Sequence, residues 1–552
     1  MKMLKKKHVI DKRTKLILAC ILLIAAVLRF YNVNWDNGNL FHPDERNIAN
    51  AVSTINLFTQ MDPKFYAYGG FLIYLYKFTA EILVVIFSNP SISHDWGWIN
   101  VIGRSYSAFF SVLTIFPIYF LGVKVFSRSA ALLSCLLFAL TVSSIQTAHF
   151  STTESLLTLI TVLTTYLSLI IFEKPSNKLA IITGLILGIG IATKTTGIVF
   201  FLSPMISLGI IFYKETIPRF KTISYLVIMA ACAFLIFSMF SPFTFLNWVK
   251  FLESMRYENG VVLGTNQVVY TLQFSHTIPY IFQIKNLFWQ LGLFAGIALI
   301  GTAVTIFQKI KERKITFFIF LSFPLVYFLY IGSWYTKFNR YVVPLLPFLI
   351  LLGSNLLIYL LLRYKVAGRL LLTLTIGATI LWALAFFSIY TQKQTRIAAS
   401  EWIYKHVPVG KFILSEHWDE GLPIPLPQGN PSSYRQLSLA IYEPDNEEKI
   451  DYYANNLSEA DYVTINSRRL YGTLLYLPEK YPITKRYYEY LFSGKLGYEK
   501  VAEFSSYPSF LGVTIPDDLS EETFQVYDHP KALIFKNTKH FTFIRLQQIL
   551  QK

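Results

Sequence analysis

Residues 69–87 read "GGFLIYLYKFTAEILVVIF", an apolar run almost long enough to cross a bilayer, and whether it crosses decides the topology of everything after it. A membrane-spanning helix needs roughly 17 to 25 mostly apolar residues. Segments of that kind lie near 15–32, 99–121, 129–147, 153–172, 179–194, 197–213, 222–241, 286–306, 315–331, 341–362 and 370–390. With 69–87 left out of the set, "KVFSR", "EKPSNK", "YKETIPRFK", "QKIKERK" and "RYKVAGR" all fall on the same side as the basic opening "MKMLKKKHVIDKRTK". Counting 69–87 as a span reverses every later loop and breaks the rule that cations gather in cytoplasmic loops. We therefore read it as an interfacial or re-entrant helix, with Lys77 and Glu81 one helical turn apart.

The resulting fold class is an α-helical polytopic membrane protein of about eleven spans. Composition agrees: 53% of the 552 residues are hydrophobic, only 15% are charged, and the mean hydropathy is +0.44, which excludes an ordinary soluble protein of this length. The net charge of +17 would suit nucleic acid, but the cations sit in short clusters between apolar segments, so nucleic-acid binding is set aside. Cys20, Cys135 and Cys232 lie inside apolar stretches and read as core residues, with no disulfide framework and no zinc spacing. The first apolar run continues into an aromatic and acidic segment without a small-residue cleavage signal, so it reads as a retained anchor starting in the cytoplasm.

This topology divides the chain into a membrane domain over 1–390, with 33–98 as its first extracytoplasmic loop, and a soluble extracytoplasmic domain over 391–552. The tail mixes polar and aromatic residues between turn signals such as "GLPIPLPQGNPSS". Within it "KFILSE" and "DYVTINS" read as strands, and "TRIAASEWIYKHV" and "NEEKIDYYANNL" as helices, giving a mixed α/β domain. The expected location is the plasma membrane.

In the first outer loop, "FHPDERNIAN" at 41–50 places His42, Asp44, Glu45 and Arg46 just after the first span. The plainer reading is a helix start: Pro43 suits the first helical position, the two acids suit the positive end of the helix dipole, and Ile48, Val52 and Ile55 form an apolar stripe. The functional reading is a general base that takes a proton from an attacking hydroxyl, or a carboxylate ligand to a divalent ion. What favours base chemistry is company at the same membrane depth. Arg104, Lys194, Lys337 and Arg340 all map to the outer face, where the charge rule makes cations unexpected, and His149 and Glu154 join them in the turn "AHFSTTES". A ring of Arg and Lys at that level suits a lipid phosphate, although cations reaching to the interface from helix ends look the same in sequence. An acid beside phosphate-binding cations suggests transfer of a group from a lipid-linked phosphate to an acceptor hydroxyl, and no nucleotide-binding glycine motif is visible.

At this point the chain resembles a known family. "FHPDERNIANAV" resembles the acidic motif of the C-type (GT-C) membrane glycosyltransferases, in the branch of protein O-mannosyltransferases and aminoarabinose transferases of lipid A, glycosyltransferase family 39-like. "VIGRSYSAFFSVLTIFPIYFLGVKVF", "GLILGIGIATKTTGIVFF", "KFNRYVVPLLPFLILLGS" and "AASEWIYKHVPVGKFILSEHWDEGLP" resemble further segments of that branch. The resemblance implies a GT-C fold and an inverting enzyme that takes a sugar from a polyprenyl-phosphate donor. It implies Asp44 as the base, Glu45 as a helper, and Arg104, Lys194 and Arg340, with Lys337 beside them, as donor-phosphate residues. His42, Tyr68, His149 and Glu154 are expected near donor or acceptor. The chain departs from lipid A transferases in lacking their Lys-Pro-Pro-Leu segment, where it has "FYAYGGFLIYL"; Tyr68 or Lys64 takes that lysine's place, and the acceptor widens to any protein, lipid or glycan hydroxyl. No cofactor or metal is implied, because the leaving group lacks a diphosphate.

A second tetrad, "HWDE" at 417–420, echoes "HPDE" at 42–45 and reads as a solvated turn in preference to an acceptor wall. Two other classes compete: a transporter or flippase for a lipid-linked glycan, and a non-catalytic polysaccharide-assembly protein. The charges gather at one face, not at the midplane, and no half-chain repeat occurs, which weighs against transport.

Overall fold

The computed structural model describes residues 11–551, so most of the basic opening "MKMLKKKHVI" lies outside the described residues. Each expected span coincides with a helix or a helix pair. The membrane domain begins with α1 (Lys12–Phe30), capped by Asp11, whose carboxylate accepts from the Thr14 amide at 2.7 Å. Helices α2 (Pro43–Thr54) and α3 (Gly70–Phe87) follow, then α4 (Trp96–Leu113) and α5 (Ile115–Val125) as one long unit. Next come α6 (Arg128–Ala139), α7 (Val142–Ala148), α8 (Glu154–Glu173), α9 (Asn177–Thr193), α10 (Leu202–Tyr213) and α11 (Arg219–Phe240). The second half holds α12 (Trp248–Leu263), α13 (Ile281–Leu291), α14 (Phe294–Lys311), α15 (Ile315–Gly332), α16 (Leu346–Arg363) and α17 (Lys365–Phe387).

By length and composition, nine helical segments among the described residues qualify to cross a membrane, ten if the pair α6 and α7, bent by 54°, counts as one. Three expected spans fail that test for plain reasons: α1 carries Lys12, Arg13, Lys15 and Arg29, α9 is only 17 residues, and the α6–α7 span is broken. The expected span 286–306 is also interrupted. Gly292, at φ +62°, ends α13, and the long helix starts only at Phe294.

The α3 helix passes the composition test as well, yet both of its ends lie at the same level. Its start is tied to the ends of α9 and α11: the Gly69 amide donates to the Thr193 carbonyl at 3.1 Å and the Gly70 amide to Ser241 Oγ at 3.1 Å. The approach needs glycine, since a Cβ at Gly69 would stand 2.0 Å from the Ala192 carbonyl oxygen and one at Gly70 2.1 Å from that of Phe240. At the other end, Phe87 packs on Trp98 at the start of α4, and mid-helix Lys77 donates to the Ser93 carbonyl at 3.1 Å while pairing with Glu81 at 2.9 Å. With α9 and α11 running parallel and α4 opposite to them, the ends of the first two and the start of the third belong to one face, so α3 lies along it. The opposite face gathers the basic helix ends, where Arg128 pairs with Asp11 at 2.6 Å and Lys124 with Glu173 at 2.5 Å.

The tail folds around a five-stranded sheet. Strands β1 (Phe412–Glu416), β2 (Arg435–Leu439), β3 (Tyr462–Ile465), β4 (Tyr498–Phe504) and β7 (Ala532–Asn537) are ordered β2-β1-β3-β7-β4; β5 (Ser509–Phe510) and β6 (Val513–Thr514) form a separate hairpin. The pairs β1–β2 and β1–β3 are parallel, and β7 runs antiparallel to both β3 and β4. The two strands and two helices read from sequence, the helices now Thr395–His406 and Glu447–Glu459, are all present.

This domain seats on the membrane domain through residues 517–529. His529 is clamped between two carboxylates, Nδ1 to Asp528 and Nε2 to Asp517, both at 2.6 Å. Asp528 in turn accepts from Gln146 of α7 at 3.0 Å and from Tyr390, just beyond α17, at 2.9 Å. All of these side chains are buried. Burial alone would depress the imidazole, but Asp517 and Asp528 outweigh it and hold the pKa up at about 10. The "HWDE" segment is a turn, as expected, with His417 and Trp418 exposed, but its acids dock: Asp419 pairs with Arg396 at 3.2 Å and accepts from Ser467 at 2.6 Å, and Glu420 reaches Arg46 at 2.5 Å.

Candidate active site

The opening packet does start a helix, and the two adjacent acids point to opposite sides of it. His42 is the N-cap of α2, its Nδ1 accepting from the Asp44 amide at 3.2 Å, and Pro43 takes the first helical position. Burial of Ile48, Ala49, Ala51 and Val52 fixes the roll of the helix. Asp44 and Glu45 are therefore assigned different surroundings by helical geometry alone.

Glu45 turns inward to Arg104. The guanidinium donates to Glu45 through Nε at 2.9 Å and Nη2 at 2.7 Å, to Asp36 through Nη1 at 3.0 Å and Nη2 at 2.7 Å, and to the Val33 carbonyl at 2.9 Å. That uses all five N–H groups of an arginine, leaving none for a phosphate. Glu45 also accepts from the Ser151 amide at 2.6 Å, and all three charged side chains are fully buried. The expected roles of Arg104 with the donor and of Glu45 as helper are corrected accordingly: this triad fixes α2 against α4 and does not line a cavity.

Asp44 turns the other way. It accepts from the Tyr68 hydroxyl at 2.8 Å and forms an ion pair with Arg340, the two side chains being 19% and 26% exposed. Burial would raise its pKa, but Arg340 first, then the Tyr68 hydrogen bond and Lys194 among other groups, hold it down to about 2. Tyr68 is pushed well above the usual tyrosine range, chiefly by burial and then by Asp44, so the phenol remains a donor.

Tyr68 and Arg340 lie on the wall of a cavity that also presents Lys194, Glu154, Glu258 and Tyr341. Lys194, in extended backbone just after α9, stands over the rings of Tyr68 and Tyr341, 5.2 and 5.7 Å from their centroids, and forms no ion pair among the described residues. Of the expected residues, then, Asp44, Tyr68, Glu154, Lys194 and Arg340 are brought together. Lys64 is not. Lys337 is turned away, donating to the Tyr335 carbonyl at 2.7 Å beneath the Phe274 ring. His42 is buried under Tyr527 and Phe150, with ring centroids 4.1 and 4.8 Å away, and burial holds its pKa at about 3. His149 is packed flat on Tyr390, its nitrogens facing the carbonyls of Ile145 and Tyr31, away from the cavity.

Two participants were not singled out in the sequence. Glu258 of α12 lines the cavity, its carboxyl raised by burial and only partly offset by Lys194. The available signal was an acid on a helix in the second outer loop, "KFLESMRYENG", with nothing to set it apart from Glu253. The second is the 517–529 segment. Glu521 accepts from the Asn339 amide at 3.2 Å, next to Arg340, while Tyr527 covers His42, two residues before Asp44. One stretch of the tail thus contacts the supports of both halves of the Asp44–Arg340 pair. Among the described residues no three His, Cys, Asp or Glu side chains are gathered as a metal site; Asp44, Glu154 and Glu258 are interleaved with cations.

Comparison with known proteins bears on the fold. Residues 99–245 match the family model described as dolichyl-phosphate-mannose-protein mannosyltransferase. No curated protein sequence matches the chain. Among solved structures, the oligosaccharyltransferase AglB of Archaeoglobus fulgidus, in complex with an inhibitory peptide and a dolichol-phosphate, aligns over 96% of this chain and 89% of its own at 14% identity and a TM-score of 0.55. The same enzyme tethered to an acceptor peptide aligns over 95% and 88% at 15% identity and a TM-score of 0.54. ArnT of Cupriavidus metallidurans bound to undecaprenyl phosphate covers 94% and 98% at 12% identity and a TM-score of 0.47. The chain shares the fold of the archaeal oligosaccharyltransferase, a polytopic helical membrane domain followed by a domain built on a small sheet.

Proposed function

We propose that the protein transfers a sugar from a polyprenyl-phosphate donor to an acceptor hydroxyl, with inversion, at the outer face of the cell membrane. The observation that carries this reading is one ionised carboxylate, Asp44, paired with Arg340 and bonded to Tyr68 on the wall of a cavity that also presents Lys194. The acceptor is a hydroxyl of a protein, lipid or glycan. The shared fold, the donor named in the matching family model and the dolichol-phosphate of the archaeal complex support it.

The donor phosphate sits between Lys194 and Arg340. It then shares the guanidinium that otherwise belongs to Asp44, so the aspartate pKa climbs from about 2 toward the ordinary carboxylate range and the group becomes a better proton acceptor. The acceptor oxygen attacks the anomeric carbon from the side opposite the phosphate, its proton passes to Asp44, and the bond from that carbon to the phosphate oxygen breaks. The departing lipid phosphate gains a negative charge, which the two cations stabilise. Tyr68 holds the aspartate in place. No step needs a metal, because the leaving group is a monophosphate.

Asp44→Asn in purified, lipid-reconstituted protein is expected to lower turnover by roughly 10²–10⁴-fold while donor-lipid binding persists; unchanged turnover sinks the base assignment. Lys194→Ala should weaken donor-lipid binding. An unaltered affinity removes it from the phosphate site.

A further inference from the structure

We propose that the β5–β6 hairpin is a finger of the tail domain that enters the outer leaflet, and that its partner is the acyl-chain region of the bilayer. The inference starts from a turn whose residue is wrong for water. Ser509 pairs with Thr514 and Phe510 with Val513, leaving Leu511 and Gly512 as a two-residue connection with φ of +51° and +82°. Positive φ at both central residues is the pattern that selects Asn, Asp or Gly, residues that tolerate the left-handed region and hydrogen-bond with solvent. Leucine is disfavoured there on conformational grounds, and this one is 86% exposed. Val513 is 65% exposed, and no charged residue occurs from Phe504 to Pro516.

The position of the finger explains its composition. The Ser509 amide donates to Ser388 Oγ at 3.1 Å, immediately beyond the last residue of α17. From there the hairpin runs down the helix: Phe510, Leu511 and Val513 share the lining of one apolar cleft with Ala378, Leu381 and Trp382. Ala378 is ten residues before Ser388, which at 1.5 Å per residue is about 15 Å along α17. That is the extent of the cleft; the tip itself, two residues beyond Ser509, reaches about 7 Å at roughly 3.4 Å per residue, which places it in the outer part of the hydrocarbon. Leu381 on α17 and Leu293 beside it are themselves 53% and 76% exposed, as lipid-facing side chains are, so the finger continues an apolar belt already set by the spans. Acyl chains fill the space between finger and helix. In that setting an exposed leucine at the tip gains what it loses in water.

The test uses full-length protein in lipid nanodiscs, with Cys20, Cys135 and Cys232 replaced by alanine. Leu511→Cys is compared with Leu519→Cys, a position 74% exposed in the acidic stretch beyond the hairpin. A membrane-impermeant maleimide should react roughly tenfold more slowly at 511, because a thiol in an apolar medium does not ionise. An environment-sensitive fluorophore at 511 should be quenched by lipids brominated on their acyl chains, and one at 519 should not. Equal reaction rates without quenching overturn the proposal, as does protection at 511 without quenching, which would mean that protein covers the tip. Val513→Cys repeats both measurements should the turn not tolerate cysteine. The outcome does not depend on the catalytic reading.

Discussion

At the scale of single residues, neighbouring acids were separated by one property of the helix: consecutive side chains diverge. Glu45 is spent on structure, and Asp44 pairs with Tyr68 and Arg340 of the cavity wall. Arg104→Met leaves Asp36 and Glu45 buried without a counter-charge, and removing one partner of a buried ionic group costs roughly 3–5 kcal/mol. A fall in Tm is therefore expected, with donor-lipid affinity retained in the fraction that folds; loss of affinity at unchanged Tm would return Arg104 to the phosphate site. Asp44, Lys194, Arg340 and Glu154 were legible in sequence because membrane depth is legible: cations on the wrong side of a span stand out; Tyr68 came only from the family resemblance. Arg104 and His149 stand out by the same criterion and yet are internal, since depth says nothing about which way a helix is rolled. Glu258 carried no sign at all, because an acid in an outer loop is ordinary.

At the scale of elements, the chain could be read wherever charge and length agreed. The α3 helix is apolar enough to cross, and only the arrangement of basic clusters told against it; the ties of Gly69 and Gly70 to α9 and α11 now give that reading a local cause. Those ties also couple α3 to Lys194, one residue beyond the carbonyl that accepts from Gly69. Gly69→Ala must displace that backbone, at a cost of roughly 1–3 kcal/mol. We expect a lowered Tm together with weakened donor-lipid binding, measured on the same reconstituted sample, whereas binding unchanged at lower Tm would uncouple the two. The break at Gly292 and the bend between α6 and α7 were invisible in hydropathy, which averages over the few residues where a helix stops.

At the scale of the whole molecule, the tail domain is held by charge that is out of water. His529 has its pKa raised to about 10, so the stabilisation it gives is complete below its unfolded value near 6.5 and is lost as pH rises through about 10. Limited proteolysis of the tail should accelerate across that interval, and His529→Gln should be cleaved readily already at neutral pH; a rate independent of pH would show that the clamp does not hold the domain. The same arrangement sets an order of events during synthesis. Asp44 emerges early, its partner Arg340 follows 296 residues later, and the segment that steadies both comes later still. At roughly 5–20 residues per second the interval before Arg340 alone is on the order of tens of seconds. Throughout it the nascent protein is already in the membrane among lipid phosphates with half a site, and a ribosome that stalls before Arg340 is made releases a product that has the carboxylate but not the finished cavity.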